Sequence, residues 1–206
     1  MKAVILFAGL LWSIADAAGA PVIPSAQDMV KSTSADIINS LRAQSDELHS
    51  NPERIYDFIQ SRVLPHFDFE RMSRLVLGKY WRRSSPQERS EFVEQFRYLL
   101  VRTYATAMLD YAEDQIVYLP FRDDPQATDV TVRTEVDVPG GNPVPVDYSV
   151  YLVDGRWKVY DVSIDGVSLV VNYRSSFATQ IRGEGGIGGL IAKMKERNQQ
   201  AATPQP

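Results

Sequence analysis

No cysteine occurs anywhere in the 206 residues. That absence excludes disulfides, a thiol nucleophile and thiolate metal sites. Histidine is almost as scarce, with only His49 and His66. A metal site usually wants two or three nitrogen or sulfur ligands close together, which this chain cannot easily supply. Both histidines therefore read as solvated or capping groups. There is no glycine-rich phosphate loop, no His-Glu-x-x-His and no Gly-x-Ser-x-Gly, so the common nucleotide, zinc-peptidase and serine-hydrolase signatures are missing. Charge of one sign is lacking as well. With 22 basic and 26 acidic residues the formal net charge is −4. Such a balance carries no electrostatic footprint for nucleic acid and would not hold the protein on an anionic membrane by charge alone.

Long hydrophobic runs are absent except at the start. Met1-Lys2 precedes an apolar run, Ala3 to Ile14, and Ala15-Asp16-Ala17 supplies small residues after it. The run is shorter than the ~20 residues of a membrane-spanning helix and reads as a cleaved secretory signal covering residues 1–17, with cleavage in the Ala18–Ala20 region or an uncleaved short N-terminal anchor as the alternatives. No cysteine follows it to carry a lipid anchor. Removing the signal takes Lys2 and Asp16, one charge of each sign, so the net charge is unchanged. An exported domain without disulfides must be held by its core alone, and a chain of this length can build one. The expectation is a periplasmic protein with a linker at 18–25, one domain at 26–197 and a polar tail at 198–206.

The strongest local signal is Ser85 to Tyr111. Ser85, Pro86 and Glu88 form an N-cap, a first-turn proline and a capping box. Phe92, Val93, Phe96, Leu99, Leu100, Thr103, Tyr104, Ala107, Met108 and Tyr111 then recur at helical spacing. Upstream, Ser25 caps a helix expected to run to Ser50 with Met29, Val30, Thr33, Ile37, Ile38, Leu41 and Leu48 on one face. Asn51-Pro52 opens a second helix that Pro65 ends. A third runs from Phe69 to Leu77, between Asp68 and Gly78.

After Ala112 the period changes from 3.6 to 2. Strands are expected at Gln115–Phe121, along Val130 to Val138, along Val144 to Leu152, and at Arg156–Ile164, with Asp154-Gly155 as a hairpin turn. In the last strand the inward parity switches between Trp157/Val159 and Val162/Ile164, which either a bulge near Asp161 or burial on both faces would explain. Asp165-Gly166 turns the chain into a helix at about Val167–Ile181. Gly183–Gly189 breaks it, and a short helix follows at Leu190–Arg197. The fold class is α+β: an antiparallel, four-stranded curved sheet packed against several helices, with an apolar pocket between them.

Few residues suggest chemistry. Asp161 and Asp165 could act as a general base in a small-molecule enzyme, but a turn and an N–H acceptor are simpler roles. Arg82-Arg83 suits phosphate yet also reads as a solvated pair. The glycines at 183–189 do not follow a strand, so they read as a hinge. What remains is apolar material around a cup, and periodicity alone leaves open whether the cup is a ligand cavity or a filled core.

Three stretches together resemble one family. They are Asn51-Pro52 through Leu64-Pro65; Leu75-Val76-Leu77-Gly78-Lys79-Tyr80-Trp81 with Ser85-Pro86-Gln87-Glu88-Arg89 and Phe92 to Tyr104; and Trp157-Lys158-Val159-Tyr160-Asp161-Val162 with Asp165-Gly166-Val167-Ser168-Leu169. In that order, over about residues 26–197, the chain is similar to the toluene-tolerance family of periplasmic phospholipid carriers. The resemblance implies a mixed helix–sheet fold whose deep apolar pocket takes phospholipid acyl chains. It implies shuttling, as a monomer and without a cofactor, between an outer-membrane lipoprotein–porin complex and an inner-membrane lipid-transport ABC complex. The pocket residues expected on that basis are Leu75, Val76, Tyr80, Phe92, Phe96, Leu99, Leu100, Tyr104 and Met108 from the helices. From the sheet and after it they are Val132, Val136, Tyr148, Val150, Leu152, Val162, Val167 and Leu169.

Overall fold

The computed structural model describes residues 23–110, 115–121, 124, 126–138, 140–183 and 185–200. The expected signal segment, Tyr111 and most of the C-terminal tail lie outside them.

Capping sets the first helix. The Ser25 hydroxyl accepts the Asp28 N–H at 3.1 Å, and α1 runs Ala26–Ala43. The expected continuous helix to Ser50 breaks at Gln44, so α2 (Ser45–Ser50) is separate. α3 (Pro52–Phe58) starts with proline in its first turn, but the Asn51 side chain makes no capping bond. It loosens into a π turn, Ile59–Val63, and a 3-10 turn, Leu64–His66. Pro65, which lacks an N–H to continue a helix, lies in that last turn. Phe67 then forms a parallel bridge with Val159, and the Asp68 N–H bonds the Val159 carbonyl at 2.8 Å. The segment thereby covers a strand edge that would otherwise be open.

Asp68 also caps α4 (Phe69–Leu77), which ends at Gly78 with φ of 52°. Lys79–Arg83, between α4 and the capping box, forms a short helix, α5. The capping box opens α6 (Pro86–Asp110) as expected: the Glu88 N–H reaches the Ser85 hydroxyl at 3.2 Å and the Ser85 N–H reaches the Glu88 carboxylate at 2.8 Å.

The sheet is an antiparallel meander in the order β1 (Gln115–Tyr118), β2 (Asp129–Asp137), β3 (Val144–Val153), β4 (Arg156–Ile164), β5 (Val167–Ser168). Five strands replace the four expected. Asp165-Gly166 adopts the same left-handed pair of dihedrals as Asp154-Gly155, so it closes a hairpin rather than turning directly into a helix. The bulge is present as well. Ser149 pairs with Asp161 and Val150 with Val159, which leaves Tyr160 as the extra residue. It turns Tyr160 to the outer face, beside Tyr151. The Arg71 guanidinium stacks between the two rings at 3.9 and 4.0 Å and bonds Asp129 at 2.6 Å. α4 is thereby tied to the sheet.

α7 (Leu169–Gly183) and α8 (Gly186–Gln200) close the chain. α8 starts four residues before the expected Leu190, because Gly186, Gly188 and Gly189 join the helix.

Three apolar clusters result. Met72, Val76, Phe92, Phe96, Phe177 and Leu190 anchor one among α4 to α8. Val130, Val132, Val150 and Val159 pack with Ala26 and Val30 between the sheet and α1. Leu41, Leu48, Ile55, Ile59 and Ala105 hold the N-terminal helices to α6. Phe67 packs against all three.

Candidate functional site

Where the three clusters meet they do not fill the space. A cavity of about 420 Å³ lies between the inner face of the sheet, α1, the 59–69 segment and the second half of α6. That lies within the range of small-molecule sites, about 300–1,000 Å³. Each cluster lends residues to the wall: Met72 and Leu100 from the first, Val30, Val159, Val162 and Leu169 from the second, Leu41, Ile59, Val63 and Ala105 from the third. Valines and isoleucines from the sheet, among them Ile116, Val136, Val138, Val144, Val146 and Ile164, complete it. These β-branched side chains are short, so they cover the strands without reaching the opposite wall.

The polar members are Thr33, Ser34, His66, Tyr104 and Tyr148, and no Lys, Arg, Asp or Glu is among the lining residues. Burial lowers the pKa of His66, and nearby Lys158 adds to this against the opposing pull of Asp36. The ring is therefore held in its neutral form near pH 7. Burial pushes the Tyr148 phenol up to about 12, with Tyr118 contributing, and raises the phenol of Tyr104 beside Tyr173. Near pH 7 every side chain on the wall is thus in its neutral form. No group of three or more potential metal-ligating side chains occurs among the described residues.

Of the expected pocket residues, the structure brings together Leu100, Tyr104, Val136, Tyr148, Val162 and Leu169. Among the described side chains, it does not bring the others to the cavity. Val76, Phe92 and Phe96 are sealed in the helical cluster, with Leu75, Tyr80 and Leu99 packed against it. Phe92 stacks on Phe96 at 5.7 Å, and Phe177 meets both rings edge-on, so this aromatic bulk fills its own space. Val132 and Val150 lie on the inner face of the sheet but are sealed beyond the cavity's reach. Leu152 is half-buried farther along β3, away from the cavity wall. Val167 is 55% exposed. Met108 lies outside the described side chains.

Two walls of the cavity lie outside the residues expected from the sequence. The α1 face from Met29 to Leu41 is legible as apolar, but its period does not show that it borders open space. His66, expected to be a solvated or capping group, is half-buried and faces the cavity. Its neighbours Ile59, Val63 and Phe67 recur at helical spacing, but π and 3-10 turns shift which residues of this segment face the cavity.

The two aspartates serve the fold. Asp161 accepts the Ser168 hydroxyl and, at 3.0 Å, the Val170 N–H, while Ser168 accepts the Val171 N–H at 3.1 Å. Together they satisfy the first N–H groups of α7. Asp165 sits in the β4–β5 turn with its N–H on the Pro145 carbonyl. Neither lines the cavity. Asp161→Ala is expected to lower unfolding stability by about 1–3 kcal/mol, since it orphans a backbone donor. Urea denaturation checks this, and an unchanged midpoint would remove the capping role.

Fold and cavity together define the class: an α+β protein whose helices wrap one face of an antiparallel meander and enclose an apolar chamber. A family model described as "MlaC protein" matches residues 31–196, and the chain belongs to this family. It is 28% identical over 178 residues to the toluene tolerance protein ttg2D of Pseudomonas putida, covering 82% of each chain. It is 23% identical over 163 residues to the intermembrane phospholipid transport system binding protein MlaC of Haemophilus influenzae, covering 78% of this chain and 76% of that one. A solved phospholipid-binding protein from Ralstonia solanacearum, in complex with a phospholipid, is similar with a TM-score of 0.81 and 33% identity. The match covers 87% of this chain and 100% of that one.

Proposed function

We propose that the protein is a periplasmic phospholipid-binding transfer protein. It holds acyl chains in the cavity and shuttles the lipid between an outer-membrane lipoprotein–porin complex and an inner-membrane lipid-transport ABC complex, which maintains outer-membrane lipid asymmetry. The observation that carries this reading is the cavity wall: apolar, ligand-sized and without charged lining residues. The family and the phospholipid-bound relative support it.

The energetics suit a carrier rather than a catalyst. Burying hydrocarbon is worth about 0.8 kcal/mol per methylene. Two tails of roughly fifteen carbons therefore contribute on the order of 20 kcal/mol before association costs, and such a ligand does not escape into water. Transfer from bilayer to cavity exchanges one apolar medium for another and is nearly neutral. Direction then comes from partner complexes and an energy source outside this chain.

Native mass spectrometry of the mature protein from a bacterial periplasm, with organic extraction, tests the reading. The expected result is a mass increment of one phospholipid, recovered as such. A clean unliganded mass with no extractable lipid would overturn it and favour an adaptor.

A further inference from the structure

The fold provides for most of the polar groups on the cavity wall. The Thr33 hydroxyl reaches the Met29 sulfur at 3.7 Å, Ser34 meets the Tyr118 phenol, and Tyr104 meets Tyr173. His66 sits in the fields of Lys158 and Asp36. Tyr148 differs. Its side chain is enclosed by protein, and its hydroxyl has no hydrogen-bond partner among the described residues. The oxygen is nonetheless not one of the atoms sealed away from all open space, and the space beside this side chain is the cavity.

We infer that the Tyr148 hydroxyl donates a hydrogen bond to an acyl-ester carbonyl of the bound lipid, and so makes the protein select ester-linked over ether-linked glycerolipids. The inference rests on the phospholipid reading above. A buried donor without an acceptor is costly, so a ligand of pure hydrocarbon would leave the site unsatisfied. A phosphate is a poor acceptor here, because no Lys or Arg lines the cavity to offset its charge. The ester carbonyl is a neutral acceptor, and a diacyl lipid carries it next to its chains. Room for the chains exists on both sides of Tyr148: along β3 to Val146 and Val144, and across β4 from Val162 to Val159 and Phe67. The raised pKa keeps the phenol protonated, hence a donor, throughout the physiological range.

The test offers delipidated protein vesicles containing equal amounts of a diacyl phosphatidylethanolamine and its dialkyl-ether analogue of the same chain length. Native mass spectrometry reads the ratio of the two bound species. The expected ratio is about three- to tenfold in favour of the ester lipid, the range of one modest hydrogen bond, and close to one in Tyr148→Phe. Equal uptake by the unsubstituted protein, or the same preference in Tyr148→Phe, overturns this inference and leaves the phospholipid reading standing. Uptake of neither lipid overturns both. Infrared spectra of a carbonyl-labelled ester lipid give a second readout that the unsubstituted protein alone can supply. A hydrogen-bonded carbonyl band is expected in the complex. Its absence overturns the inference, as does its persistence in Tyr148→Phe, which would assign the bond to water.

Discussion

Val146→Glu is expected to empty the cavity while leaving the fold standing. Val146 sits on β3 between Thr134 and Ile164, and its side chain lines the open space rather than a packed seam. A carboxylate placed there can keep water around it as long as the cavity holds no lipid. An acyl chain would have to strip that water with no cation on the wall to replace it. Leaving a charge desolvated and unpaired costs several kcal/mol, and each 1.4 kcal/mol is a factor of ten in affinity. A loss of at least about a hundredfold in retained phospholipid follows. Native mass spectrometry measures the bound fraction, circular dichroism checks the fold, and Val146→Ile, which keeps the wall apolar, should retain lipid. Full occupancy in a folded Val146→Glu protein would move the lipid site out of this cavity.

Val146 also shows how far the site is legible in the sequence. Caps and periods located the elements well: Ser25, Asp68 and Ser85 each begin a helix through a side-chain bond to a backbone N–H. The parity switch in β4 fits a bulge or burial on both faces, and the pairing resolves it as a bulge at Tyr160. Periodicity reports which face of an element is dry. It carries no information on whether the volume beyond that face is occupied. Bulky aromatic positions on α6 therefore looked like lining, when their size is what lets them close-pack against Phe177 and Tyr173. The cavity opens instead where α1 and the strands present short branched side chains to each other. Which faces oppose each other is a tertiary property. At 59–66 the spacing of Ile59 and Val63 marks an inward face, but the π and 3-10 turns that replace a regular helix there bring His66 to the cavity as well, which a helical period does not indicate.

Phe96→Ala should give the opposite result to a charge at Val146. Phe96 is fully buried and lies within 5.3 to 6.0 Å, ring centre to ring centre, of Phe92, Tyr173 and Phe177. These contacts join α6 to α7, and Leu190 and Met194 of α8 belong to the same cluster. Truncation removes a full aromatic side chain from a packed site whose neighbours are held by three helices, so collapse into the void is limited. A cost of about 3–5 kcal/mol is the usual range for such a change, which lowers the melting temperature by roughly 10 °C in a domain of this size. Phe96 does not touch the cavity, so protein that remains folded below its new transition should still carry its lipid. Calorimetry and lipid extraction on the same sample separate the two effects. A protein that melts normally but loses its lipid would place Phe96 at the ligand after all and extend the binding site into the helical cluster. The expected pattern, lost stability with retained lipid, instead assigns the aromatic face of α6 to holding the helices together while the branched side chains of α1 and the sheet enclose the ligand.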